Sequence, residues 1–324
     1  MRSRGSTDPI SISLTFNEPG HPPVYYSICI DENDSGPIVS SEDLCLDIGA
    51  HENEQRYLIF YEGQGSVSDF NGGYLEDPQW ENLTLASPDL LAVNALGQLA
   101  THPRIKALRD FITGWHLSYL SAQDARGAPE AGPREHLSKT GDNLANVIQY
   151  LRERHPEKLD AMLDTLRRRV PRLERVDAEV LADGRLLLQI KDAPFERPIL
   201  SRFASDGTLK LLAYLVLLHD PEPYPLIGIE EPENFLYPKL LAELAEECNL
   251  ASSRTQMLVT THSPYFVNGL RPEQVQVLYR GDDGYTRVKR AADIPGINEM
   301  MAEGAKLGDL WMEGHFGLGD AEGV

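Results

Sequence analysis

The stretch from Leu226 to Thr260 limits what this chain can fold into more than any other. It holds two short apolar runs, 226–229 (LIGI) and 256–260 (QMLVT), separated by residues 239–247, whose apolar positions recur at helical spacing. A short run of β-formers with no polar alternation reads as a strand covered on both faces. Two such strands joined through a helix belong to a parallel sheet. The expected class is therefore α/β, and each run ends in a polar cluster: Glu230-Glu231-Pro232-Glu233-Asn234 after the first, Thr261-His262-Ser263 after the second.

The rest of the chain divides by pattern. Segments 11–16, 24–30 and 57–61 cluster β-formers between Gly, Pro, Asn and Asp, and predict an antiparallel region over 1–62. Residues 63–135 are rich in Gly, Pro, Ser and Asp and read as an insertion or lid, with a helix over 104–112 and a strand over 115–120. Helical spacing returns at 143–154 and 156–170. A hairpin follows around Asp183-Gly184, giving a helical lobe and hairpin over 136–198. The remainder, 199–324, adds a helix from Asp206, a short helix at 264–270 and strands at 275–280 and 286–290. These parts are read as one domain without internal repeats.

Composition excludes several classes. With 41% hydrophobic and 25% charged residues, the chain is globular rather than disordered. The formal net charge of -20 argues against broad attraction to nucleic acid, which depends on Lys and Arg neutralising phosphates. Arg152, Arg154, Arg167, Arg168 and Arg169 are interleaved with Glu153, Glu157 and Asp160, and read as a solvated helical face. The longest apolar run, Leu211–Leu218, falls short of the about 20 residues that span a bilayer, so the protein is expected in the cytoplasm, away from membranes. Cys29, Cys45 and Cys248 have neither disulfide-framework nor metal-ligand spacing.

In an open α/β sheet, ligands collect at the carboxyl ends of the strands. Carboxylates at such an end, Glu230 and Glu231, can hold magnesium through oxygen and orient a water. His262 ends the second strand, where it can donate to a phosphate or to that water. Ser205-Asp206-Gly207-Thr208 precedes a long apolar helix, and a helix N-terminus attracts phosphate through its free amides and dipole. Taken singly, each segment has a plainer reading: a surface turn, a locally bonded histidine, an ordinary N-cap.

In this order and spacing, however, 204–208, 226–234 and 259–263 resemble the signature, Walker B and switch-histidine segments of ABC-type ATPases. The chain is similar to the ABC-like heads of the SMC, RecF and OLD relatives and to the compact bacterial proteins labelled AAA family ATPases. Residues 137–145 (LSKTGDNLA) and 307–311 (LGDLW), with Gly314 and Gly317, share in the likeness, which covers most of 8–318. The resemblance implies an ABC-type (P-loop NTPase) fold that binds and hydrolyses ATP with Mg2+ as a dimer, or with a partner ATPase or effector subunit. Glu230 then matches the magnesium-supporting acid and Glu231 the general base. His262 matches the switch histidine, Ser205 and Gly207 the signature contacts to the partner's nucleotide, and Glu233 and Asn234 the loop lining the dimer seam. DNA repair and phage defence are among the roles of such proteins. A metal-dependent nuclease built on Glu230, Glu231 and Glu233 is the weakest alternative.

One part of that pattern does not occur in the 324 residues: a Gly-rich loop of the form G-x-x-x-x-G-K-[ST]. The segment Ser138-Lys139-Thr140 has Pro133 and Ser138 where the two glycines belong. The expectation is an ABC fold without its first strand, P-loop and first helix, with Met1 an internal start and Arg2–Pro9 the tail of that connection. Such a chain alone is expected to hold ATP weakly. The alternative is a degenerate, noncatalytic head that offers its signature segment to a complete partner.

Overall fold

The structure, a computed structural model, describes residues 8–47, 54–68 and 78–317. Most of the Arg2–Pro9 stretch lies outside them. The chain divides into two compact units, 1–114 and 115–324.

The first unit is a six-stranded antiparallel sheet in sequential order: β1 (Ile10–Phe16), β2 (Val24–Asn33), β3 (Gly36–Asp47), β4 (Glu54–Tyr61), β5 (Gln64–Ser68) and β6 (Trp80–Thr84). Two helices, α1 (Ala92–Leu96) and α2 (Pro103–Thr113), pack on one face and bury Tyr26, Leu44, Leu58 and Phe60 with Ile105 and Leu108. The expected antiparallel region thus continues through β5 and β6 to Thr84, into the stretch read as an insertion or lid.

Strand β3 has a polar sequence because one of its inward positions is charged. Glu42 is fully buried; Tyr26 Oη donates to it at 2.8 Å, and the Ala92 and Val93 amides at the start of α1 donate at 2.5 and 2.8 Å. One carboxylate therefore satisfies helix-end amides that have no intrahelical partner. Burial pushes its pKa up against those bonds.

The second unit centres on a three-stranded parallel sheet in the order β12-β11-β7, with β7 at His116–Ser118, β11 at Leu226–Glu230 and β12 at Gln256–Thr260. The two apolar runs are adjacent parallel strands as expected, with Glu230 in register with Thr260 and Ile229 with Ser118.

Helix α3 (Ala122–Ala125) follows β7, and α4 (Leu144–Arg154) and α5 (Pro156–Arg169) form an amphipathic pair. That pair packs against a three-stranded sheet of β8 (Leu173–Val180), β9 (Leu186–Asp192) and β10 (Ile199–Leu200). Helix α6 (Asp206–Leu218) is apolar almost all round and runs through the core, as such a helix must. Helix α7 (Pro238–Ala251) joins β11 to β12, and α8 (Pro264–Val267) follows β12. A hairpin, β13 (Gln276–Arg280) with β14 (Thr286–Arg290), and helices α9 (Ile297–Ala302) and α10 (Leu307–Met312) complete the unit.

Of the arginines read as a solvated face, Arg152, Arg154 and Arg168 are exposed as expected, while Arg167 and Arg169 are half-buried. Arg152 pairs with Asp177 and donates to Val176 O, and Arg167 reaches Glu174 O, so both tie helices to β8. Arg169 pairs with Glu243 at 3.1 Å and Glu247 at 2.6 Å on α7. Asp177, Glu243 and Glu247 are distant in sequence, where local charge patterning does not look, whereas Arg167 pairs with Asp164 at 2.6 Å on its own helix.

Candidate functional site

Strand β11 ends by placing Glu230 at the rim and Glu231 in the turn beyond. Glu231 is held at φ +41°, a left-handed conformation unusual for a residue with a side chain and disfavoured again by the following Pro232. Its amide donates to Thr260 O at 2.9 Å, extending the β11–β12 pairing by one residue and fixing the turn. A second left-handed residue, Phe235 at φ +68°, closes the loop before α7. Strain of this kind costs about 1–3 kcal/mol per residue and concentrates at functional sites.

Across the strand ends, His262 Nε2 lies 3.6 Å from Glu231 Oε1. The imidazole is 84% exposed, so it faces solvent rather than being a satisfied core group. Glu231 also accepts from Asn234 Nδ2 at 3.3 Å. Glu233 does something different: one oxygen accepts from the His262 amide at 2.6 Å and the other from Thr261 Oγ1 at 2.8 Å. The structure thus brings Glu231, Glu233, Asn234 and His262 into one network, with Glu233 turned toward the His262 backbone.

The N-terminus of α6 stands against the same loop. Ser205 is its N-cap, accepting from the Thr208 amide at 3.1 Å and bonded to Thr208 Oγ1 at 2.8 Å. A Cβ on Gly207 would sit 3.2 Å from Phe235 O, so glycine allows the close approach of loop and helix. Lys210, only 4% exposed, donates to Asn234 O at 2.7 Å; burial lowers its pKa and the nearby Glu233 charge opposes that shift. Asp206 and Lys210 line a cleft of about 500 Å³ together with Glu230 and Glu231. The first residue of α6 and the acidic strand end thus form walls of one cleft.

Three cleft residues escaped sequence reasoning. Gln123 follows β7, and no spacing marks it. Arg126 donates to Ala204 O at 2.8 Å and pairs with Asp206, steadying the segment before α6. Lys210 did carry a signal, as the one charge within an apolar helical run.

The donor set suits a metal only in part. Among the described residues no group of three or more His, Cys, Asp or Glu is arranged to hold an ion. Glu230 and Glu231 fit magnesium in its usual mode, in which one or two carboxylates act with water and phosphate oxygens.

The sequence model of the family described as "AAA domain, putative AbiEii toxin, Type IV TA system" matches residues 53–268, two-thirds of the chain, and spans β11, β12 and the cleft. The chain belongs to this AAA domain family. Solved structures similar to it include an SMC head bound to the C-winged helix domain of ScpA (12% identity, TM-score 0.41, covering 84% of this chain and 76% of that one). The SMC head domain from Thermotoga maritima is another (14% identity, TM-score 0.38, 82% and 74%). A third is the Smc head domain bound to the C-terminal domain of ScpA derived from Pyrococcus furiosus (12% identity, TM-score 0.36, 88% and 82%). No curated protein matches the sequence. In this AAA domain protein the matched segment begins just before β4 and ends just after α8.

Proposed function

We propose that this AAA domain protein binds and hydrolyses ATP with magnesium in an ABC-like, dimer-dependent site. The observation that carries the reading is the 3.6 Å approach of His262 to Glu231 across adjacent parallel strand ends, on a turn held at positive φ. Glu231 takes a proton from the attacking water, and His262, exposed beside it, donates to the water or to a terminal phosphate oxygen. Glu230, one residue back at the rim of the same cleft, holds magnesium through oxygen. Bound magnesium supplies charge neutralisation on the phosphates. The α6 N-terminus, with Ser205 and Gly207, presents amides to phosphate. Whether it serves the nucleotide of its own chain or that of a second copy is what separates a one-chain site from a shared one.

An ABC-like site would hold the phosphates with a Gly-rich loop, a motif that does not occur in the 324 residues. Support for its place comes from the sheet: Leu117, Gly228 and Leu258 form one row across β7, β11 and β12, and Leu117 and Leu258 are 42% and 61% exposed. Parallel sheets are ordinarily covered on both faces. A strand and helix carrying the loop would pack there, beside Glu231 and His262. The same absence of the loop motif favours the second reading, a noncatalytic head that lends Ser205 and Gly207 to a complete partner. The family description, which names a toxin, supports phage defence or a toxin-like system ahead of DNA repair. No helix among the described residues is long and apolar enough to cross a membrane.

The test is ATP turnover and calorimetric Mg-ATP binding by the chain alone and by the chain joined to its upstream coding sequence. Turnover that appears only with a Gly-rich loop and is lost in Glu231→Gln supports the first reading. The absence of both tight binding and turnover in both forms supports the second. Tight Mg-ATP binding by the 324-residue chain alone, unaffected by Glu230→Ala, would overturn both.

A further inference from the structure

We infer that Glu233 is a positioning residue that sets the place of His262, and that it is not a ligand of nucleotide or metal. This rests on the proposed catalytic reading of His262 for its consequence, but its geometry stands apart from that reading. Both oxygens of the Glu233 carboxylate are engaged, one by the His262 amide at 2.6 Å and the other by the Thr261 hydroxyl at 2.8 Å. Thr261 Oγ1 in turn accepts from the Ser263 amide at 3.0 Å, and Ser263 Oγ accepts from the Phe266 amide at 3.4 Å to cap α8. A single carboxylate thereby orders three consecutive residues through a relay of donors and acceptors.

The His262 ring has little to hold it otherwise. It is 84% exposed, and its contact with the Glu231 carboxylate is at 3.6 Å, beyond a good hydrogen bond. Where the imidazole points therefore depends on the backbone from Thr261 to Ser263, and that backbone is pinned by Glu233. Glu233 itself stands two residues after Glu231 on the turn bounded by the left-handed residues Glu231 and Phe235. The group proposed as base and the group proposed as proton donor are thus carried by two loops that this one side chain fastens together. A carboxylate suits the task because it is acceptor-only and offers two oxygens to two donors. Glutamine can do it too: its carbonyl accepts from the His262 amide, and its NH2 donates to Thr261 Oγ1.

That difference supplies the experiment. Glu233→Ala, Glu233→Gln and Thr261→Val are compared with the parent protein in two measurements. The first is the amide proton resonance of His262 without nucleotide, which a short bond to a carboxylate moves far downfield. The second is ATP turnover across a magnesium titration in the form that carries the Gly-rich loop. The expected pattern is an upfield shift of the His262 amide in Glu233→Ala, with kcat lower by about 10- to 100-fold, KM for ATP within about twofold and unchanged magnesium dependence. Glu233→Gln stays within about threefold of the parent, and Thr261→Val, which keeps the amide bond, falls between. If Glu233→Gln costs as much as Glu233→Ala and raises the magnesium requirement, Glu233 is a ligand and the inference is wrong. An unmoved His262 amide in Glu233→Ala likewise overturns it. Should no form hydrolyse ATP, the functional reading fails while the amide resonance still decides the clamp; if Glu233→Ala does not fold, Thr261→Val and Glu233→Gln carry the comparison.

Discussion

Gly308→Ala should loosen the contact by which the C-terminal helix α10 holds the segment after His262. Gly308 is buried, and a Cβ there would lie 2.0 Å from Pro264 O, 2.7 Å from Pro264 C and 2.8 Å from Asn268 Oδ1. Pro264 is the first residue of α8, two positions past His262, and backbone atoms cannot swing aside as a flexible side chain would. Helices α8 and α10 must therefore separate by an ångström or more. That separation breaks the bond from the Gly308 amide to Asn268 Oδ1 at 2.7 Å and strains those between Asn268 and Asp309 at 3.2 and 3.0 Å. Overpacking costs about 1–3 kcal/mol. The one part-buried bond adds about 0.5–1.5 kcal/mol, while the exposed pair is exchanged for water and is discounted. The expected loss is about 2–4 kcal/mol. Urea unfolding, read by far-UV circular dichroism and tryptophan fluorescence together, measures it, with Gly132→Ala as control because nothing lies within 4 Å of a Cβ there. Two probes are needed because two compact units need not unfold as one. A Gly308→Ala chain as stable as the Gly132→Ala control would refute the reasoning.

Three further outcomes are expected. Glu231→Gln should keep nucleotide binding and slow hydrolysis by about 100-fold or more, whereas Glu230→Ala should raise the magnesium requirement; equal mild effects, measured by turnover against magnesium, would make 230–231 a structural turn. In a form carrying a Gly-rich loop, Ser205→Arg mixed with a variant whose loop lysine is replaced should recover part of the activity if the α6 N-terminus serves a second copy; dimers that recover nothing would leave Ser205 an ordinary cap. His116 is pushed down to about 4, chiefly by burial, with Lys139 and His136 adding to it, so the unfolded chain takes up a proton that the folded one refuses. Stability should fall as pH drops from the ordinary value of 6.5 toward about 4, by about 3 kcal/mol from this group, and level off below. His116→Phe, which preserves stacking on Tyr224, should remove that part of the slope, and an unchanged slope in acid titration would count against it.

What the sequence determined by itself was whatever short-range pattern can encode. The unalternating runs at 226–229 and 256–260 called for adjacent parallel strands covered on both faces; they are adjacent and parallel, but only β11 is buried, and β12 has no buried residue. Because side chains at strand ends inherit the position of the strand, Glu231 and His262 were readable as neighbours from those two runs. The hairpin around Asp183-Gly184, with Gly184 at φ +80°, was likewise local, since a tight turn requires that conformation. Only the tertiary structure decided the rest. Strand β3 hid because Glu42, its buried charge, is satisfied by Tyr26 and by α1, about fifty residues away. Glu233 read as part of the loop lining the dimer seam, and only the fold brought Thr261 and the His262 amide to its two oxygens. Gln123 and Arg126 joined the cleft because β7 lies beside β11, a pairing of segments more than a hundred residues apart. A hydrogen bond between distant segments leaves no periodicity in either, so spacing alone cannot report it.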